Sequence, residues 1–158
     1  MSGDDDRLAD LVRAYRQADY AVRDGGRREV VARIGVPGRA LDRMLGRHGA
    51  RDGTFITAWN PASVRRSTAA NEAASRRLRY LIETSRYRWL PHEGRSASPG
   101  QTAAPTWREQ GFFVLDLPRA TALAWAVRFG QNAVVRVRRR GAPELLLTVS
   151  ARRWSRTA

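Results

Sequence analysis

The stretch Thr54-Phe55-Ile56-Thr57-Ala58-Trp59-Asn60-Pro61 decides the reading of the fold. In an extended chain Phe55, Thr57 and Trp59 point one way and Ile56 and Ala58 the other, so apolar groups occupy both faces and the segment reads as a buried strand. Asn60-Pro61 stops it, because proline has no amide hydrogen to give to a ladder. A loop then leads to a helix predicted from Ser67 to Thr84. Ala70, Ala74, Leu78, Leu81 and Ile82 form its inner stripe, while Arg76, Arg79 and Glu83 face solvent. Tyr87 and Trp89 mark a short strand. Strand, helix, strand is the signature of a crossover between parallel strands.

Toward the carboxyl end the pattern repeats. The run Glu109 to Leu117 contains FFVL and reads as a strand, Pro118 opens a helix over Ala120, Leu123, Ala124 and Val127, and Gly130 ends it. Ala133 to Arg138 is the strand that completes a second crossover. A turn at residues 139–143 leads to Leu145 to Val149, a hairpin partner. Toward the amino end, Leu8, Leu11, Val12, Tyr15 and Ala18 recur at helical spacing behind Asp4, Asp5 and Asp6, which suit a helix amino terminus. The period then becomes two, with Tyr20 and Val22, a turn at Asp24-Gly25-Gly26, and Val30, Ala32 and Ile34. Leu41, Met44 and Leu45 give one more short helix. Residues 94–106, rich in Gly, Ser, Ala and Pro, are read as a flexible loop, and residues 151–158 as a basic tail. The expected fold class is α/β (α+β): one domain, a mixed sheet of about six or seven strands, two βαβ crossovers and an amino-terminal helix.

Composition agrees with a single globular domain: 158 residues, 42% hydrophobic and 28% charged. The lack of cysteine removes disulfide frameworks, thiol nucleophiles and Cys-based metal sites. An acidic amino terminus without an apolar run gives no signal peptide, and no segment approaches the roughly 18 apolar residues of a span. A cytoplasmic location is expected.

The formal charge is +14, from 29 basic against 15 acidic residues, and every basic residue is arginine. Arginine recognises phosphate bidentately, and such a surplus attracts polyanions; GC-rich coding would also replace lysine. The densest cluster is Arg136, Arg138, Arg139 and Arg140, followed by Arg152 and Arg153 beside Trp154. It reads either as a basic surface tracking a phosphate backbone or as charge that protects a sheet edge from aggregation. With Arg65 and Arg66 these arginines form the candidate polyanion-binding set. Nucleic acid or a phosphate-bearing ligand is the expected partner, with no membrane, metal or cofactor.

FITAWNPAS at residues 55–63 with Asn71 eight positions on, the Glu109 strand with FFVL, and VRFGQNAVV at residues 127–135 together resemble the bacterial family catalogued as domain of unknown function 3293. The resemblance implies no activity, cofactor or partner. In that family's pattern a small hydroxyl residue usually stands two places after Glu109, whereas Gly111 stands here.

The loop from Asn60 to Thr68 joins a strand end to a helix start, where free amides and the positive helix end favour anions. No GxxxxGK[ST] or GxGxxG pattern is present, which disfavours a nucleoside triphosphatase or a dinucleotide enzyme. Turn-making by Asn60 and Pro61 and helix capping by Ser67 or Thr68 also account for these residues. Gln131 and Asn132 hold the equivalent place on the second crossover. With the two crossovers adjacent, Trp59, Asn60, Ser63, Asn71, Glu109 and Gln131, joined by Asn132, line one ligand pocket with an aromatic wall, amides and one acid. Glu109 is the candidate for a catalytic base. His48 and His92 have neither triad nor metal-ligand spacing, so whether the protein is an enzyme stays open. The function expected is a basic module for nucleic acid or another polyanion. The alternatives are a small-molecule or nucleotide-binding protein and a protein-interaction domain.

Overall fold

The computed structural model describes residues 3–25, 28–97 and 107–152. Helix α1 (Gly3–Gln17) runs directly into β1 (Ala18–Asp24), which pairs with β2 (Arg28–Ala32) as the two-residue period requires. Helix α2 (Arg39–Arg47) follows, burying Leu41, Met44 and Leu45. Then come β3 (Asp52–Thr57), a turn at Pro61–Ser63, α3 (Thr68–Thr84), β4 (Trp89–Ser96) and β5 (Arg108–Leu115). The chain continues through α4 (Arg119–Arg128), β6 (Ala133–Arg138), β7 (Glu144–Leu147) and the short α5 (Val149–Arg152). Ser67 caps α3, its hydroxyl accepting from the Ala70 amide at 3.2 Å.

The strands form one seven-stranded sheet in the order β2-β1-β4-β5-β3-β6-β7. Every neighbouring pair is antiparallel, which corrects the expectation of a mixed sheet. Both crossovers exist, yet each skips a strand. The α3 connection takes the chain from β3 to β4 with β5 inserted between them, and the α4 connection takes it from β5 to β6 with β3 inserted. Parallel strands therefore never touch, since each crossover is filled by a strand of the other. Two interleaved split β-α-β units in this order are the ferredoxin-like arrangement, here widened by β1 and β2 on one side and β7 on the other.

Alternation along the central strands feeds two cores. Phe55, Phe113, Leu115, Val135 and Val137 pack with α2 on one face. Ile56, Phe112, Val114 and Val134 pack beneath α3 and α4 on the other. Gly53 is needed at its place because a Cβ there would lie 2.1 Å from the buried Phe113 ring. The sheet also curls: the Gly35 amide beyond β2 donates to the Pro143 carbonyl before β7 at 2.8 Å, so the two edges meet at one end.

The arginine cluster divides under this topology. Arg136 stands opposite Thr54 on β3 and Glu144 on β7, is 8% exposed, and places its Nη2 2.7 Å from Asp52 Oδ2. Its guanidinium is held in a buried ion pair through Nη2 and faces inward, which corrects its assignment to a polyanion surface. Burial nevertheless pushes the Asp52 carboxyl up, against the pull of Arg136. Arg138, Arg139 and Arg140 are exposed. The Arg152 side chain, Arg153 and the rest of the expected tail lie outside the described residues, as do residues 98–106 of the expected loop. The part of that loop from Gly94 to Ser96 is the end of β4.

Candidate functional site

The chain leaves β3 through Thr57, whose hydroxyl donates to the Gln110 carbonyl at 2.6 Å and accepts from the Trp59 amide at 3.1 Å. Asn60, Ala62 and Ser63 then take positive φ values of 46°, 55° and 61°. Asparagine tolerates the left-handed region because its short amide bonds locally, whereas alanine and serine there are strained by an amount on the order of 1 kcal/mol or more each. Three such residues in one four-residue turn require external restraint. The Asn60 amide donates to Asn71 Oδ1 at 2.9 Å, and Asn71 Nδ2 donates back to Asn60 Oδ1 at 3.0 Å. The Arg66 amide donates to the same Asn60 oxygen at 2.9 Å. From behind, the Ala62 amide donates to the Gly130 carbonyl at 2.7 Å, Gln131 Nε2 donates to the Trp59 carbonyl at 3.0 Å, and Asn132 Nδ2 donates to Ser63 Oγ at 3.1 Å.

Thus restrained, Asn60 Nδ2 donates to Glu109 Oε1 at 2.9 Å. The two side chains share one face of the sheet and a cavity of about 460 Å³. Trp59, Asn60, Ser63, Asn71 and Glu109 all line it, with Arg65 and Arg66 at the rim. Gln131 and Asn132 do not: both are buried behind the turn, and they position it rather than face the cavity. Trp59 is fixed in turn by donation from its Nε1 to Ser75 Oγ at 3.0 Å.

Several wall residues escaped the sequence reading. Helix α1 covers the cavity with Leu11, Ala14 and Tyr15, and Trp107 just before β5 and Arg108 at its start complete the wall. Trp107 had a signal, since it stands two places before Glu109 and strand alternation puts both on one side. Tyr15 had only its polar handle on an otherwise apolar stripe. Arg108 is already engaged, its Nη1 lying 2.8 Å from Glu93 Oε1. Arg65 and Arg66 have no carboxylate partner among the described residues.

Burial raises the Glu109 carboxyl above its ordinary range, and the Asn60 hydrogen bond only partly opposes this. Burial also raises the Tyr15 phenol, and the charge on Glu109 adds to the effect. An acid whose folded-state pKa is raised stabilises nothing by ionising: the folded state loses stability as pH climbs from the ordinary carboxyl range through the raised value. Glu109→Gln should therefore melt like wild type in acid and above it at neutral pH, the gap opening with pH and then levelling. Thermal melts at stepped pH check this, and a pH-independent gap would contradict it.

Neither histidine joins the cavity. Burial pushes His92 down to about 4, and its Nδ1 lies 3.1 Å from the Ala21 carbonyl, so the ring is a neutral core donor, stacked on Tyr20 and meeting Phe55 edge-on. His48 bonds Asp24 at 2.9 Å. Among the described residues no cluster of His, Cys, Asp or Glu is fit to hold a metal, and no helix is long and apolar enough to cross a membrane.

The family model described as Protein of unknown function (DUF3293) matches residues 56–134, half of the chain. The chain belongs to that family. The DUF3293 match begins inside β3 and ends inside β6, so it spans both crossovers, the strained turn, Asn71 and Glu109. It leaves out α1, which supplies the cavity's cover in this chain. Comparison with curated proteins and with solved structures finds no match.

Proposed function

We propose that the protein binds a small ligand that joins a phosphate or similar anion to a planar ring, the class of the nucleoside phosphates. The observation that carries this reading is the meeting of unlike groups in one cavity: a floor of Asn60, Asn71 and Glu109, aromatic walls, and at the rim Arg65 and Arg66, which have no carboxylate partner among the described residues. Its volume falls within the roughly 300–1,000 Å³ of small-molecule sites. Each part has a role. Arg65, Arg66 and Thr68 lie at the amino end of α3, where the helix dipole adds to their attraction for an anion. Trp59, Trp107 and Tyr15 offer faces against which a ring can stack. Glu109, kept from ionising readily, can exchange hydrogen bonds with a ring nitrogen or carbonyl.

A broader electrostatic reading, capture of a nucleic acid, rests on the exposed Arg138, Arg139 and Arg140 at the β6–β7 turn. The two readings separate in one experiment. A thermal-shift screen of nucleosides and nucleoside mono- and diphosphates should raise the wild-type melting temperature. By mass action a ligand at about 100 times its Kd adds about 2.7 kcal/mol, several degrees for a chain of this size. Glu109→Gln and Arg65→Ala/Arg66→Ala variants should lose most of that shift, and Arg138→Gln/Arg139→Gln/Arg140→Gln should keep it. Loss of binding in the last variant alone, with a steep salt dependence, would favour the polyanion reading. No shift with any compound would reject the pocket.

A further inference from the structure

On the face of the sheet covered by α3 and α4 a second, larger hollow of about 790 Å³ opens between the carboxyl-terminal half of α3 and the end of α4. Its floor is made of small and apolar groups: Ala58, Ala73, Ala74, Leu81 and Phe129. Alanine at positions 73 and 74 leaves the gap, because a larger side chain on that face of α3 would fill it. The rim is cationic, with Arg76 and Arg77 from α3 and Arg128 from the last turn of α4, all exposed. No lining residue is acidic, and none of these three arginines has a carboxylate partner among the described residues. Their neighbour Arg79 is different: it bridges Glu83 at 2.8 Å and lies over the Trp89 ring at 5.2 Å. Tyr80, 70% exposed, stands on the same rim.

We infer that this groove docks an acidic amphipathic helix of a partner protein. An apolar floor rewards burial of side chains at i, i+3, i+4 and i+7, and a rim of unpaired guanidinium groups demands carboxylates on either side of that stripe. Tyrosine and arginine at the edge are the residue types that concentrate binding energy at protein interfaces. A nucleic acid would use the arginines and Tyr80 but gain nothing from the alanine floor. The inference is independent of the small-molecule cavity, which lies across the Asn60–Ser63 turn and is lined by other residues.

The test is selection of helical peptides of about 16 residues from a displayed random library against the whole protein. A parallel selection uses Arg76→Glu/Arg77→Glu/Arg128→Glu, whose substitutions are on the surface and should leave the melting temperature within a few degrees of wild type. Enriched wild-type binders should carry an apolar stripe flanked by Glu or Asp, and should lose at least ten-fold in affinity on the triple variant. Ala73→Trp, which fills the floor and leaves the charge alone, should also weaken them at least ten-fold, and amide protection should fall on residues 73–84 and 128–130. Three results would overturn the inference: binders indifferent to Ala73→Trp, which would make the attraction purely ionic; competition by polyglutamate at equal charge concentration; or a single-stranded RNA that binds through the same three arginines where no peptide does.

Discussion

Asn71→Ala should be among the most damaging single polar substitutions in the protein, lowering the unfolding free energy by about 3 kcal/mol and abolishing ligand binding at the Asn60–Glu109 cavity. Asn71 is 3% exposed in the first turn of α3, and its carboxamide is the one group among the described residues that bonds both the main chain and the side chain of Asn60. Alanine strands the Asn60 amide and one lone-pair site of its side-chain oxygen, at about 1–3 kcal/mol for each buried group left unpaired. The strain at Asn60, Ala62 and Ser63 is then held only by the Gly130, Gln131 and Asn132 contacts from behind. At roughly 2–4 °C per kcal/mol for a chain of this length, the melting temperature falls by about 10 °C. Ser67→Ala is the comparison, because it removes one exposed cap on the same helix and costs about 1 kcal/mol. Should Asn71→Ala melt no lower than Ser67→Ala, the network does not restrain the turn, and the pocket loses its frame.

The elements were legible in the sequence because each carried its own period. TFITAW announced a strand with two apolar faces, and the stripe from Ala74 to Ile82 announced a helix. Strand order was not legible, because nothing local says that β5 inserts between β3 and β4. The crossovers looked like neighbours, and only long-range pairing, Phe55 with Phe113 and Leu90 with Phe113, shows the interleaving. The same insertion brings Glu109 under Asn60, so polar residues at separate strand ends converge through the interleaving of the two crossovers and not through their direct adjacency. Gln131 and Asn132 were expected in the pocket because they occupy the matching position on the second crossover. In the fold that position lies behind the turn, where the buried carboxamides meet the carbonyl of Trp59 and the hydroxyl of Ser63. Arg136 misled for a related reason. Its position beside three exposed arginines suggested surface, whereas its register opposite Thr54 places it inside.

Gly111→Ser should cost about 3 kcal/mol or more, although the family resemblance makes a small hydroxyl residue the expected occupant of that place. Gly111 lies between Thr57 on β3 and His92 on β4, at the last pair of the β3–β5 ladder and in the middle of the β4–β5 ladder. A Cβ there would stand 2.5 Å from the Ile56 carbonyl oxygen, 3.0 Å from His92 Cδ2 and 3.2 Å from Thr57 Cβ. The nearest atom is backbone of a buried strand and the next belongs to a ring held by the Ala21 carbonyl, so neither yields by a side-chain rotation. Strand β5 must move instead. Overpacking of this kind costs about 1–3 kcal/mol where side chains can adapt, and this site stands at or beyond that upper bound. The displacement would reach Glu109 two residues away and pull it off the 2.9 Å contact with Asn60, so ligand binding falls with stability. Gly38→Ala is the control: its backbone is extended at φ −132° and its Cβ would meet only Leu41 Cβ at 3.8 Å, so it should cost no more than the ~1 kcal/mol of exchanging the glycine N-cap of α2 for alanine. Urea unfolding of the three proteins decides the matter. A serine tolerated at position 111 would mean that β3 and β5 stand farther apart than the close approach of Ile56 requires, and that this chain's glycine is free choice rather than necessity.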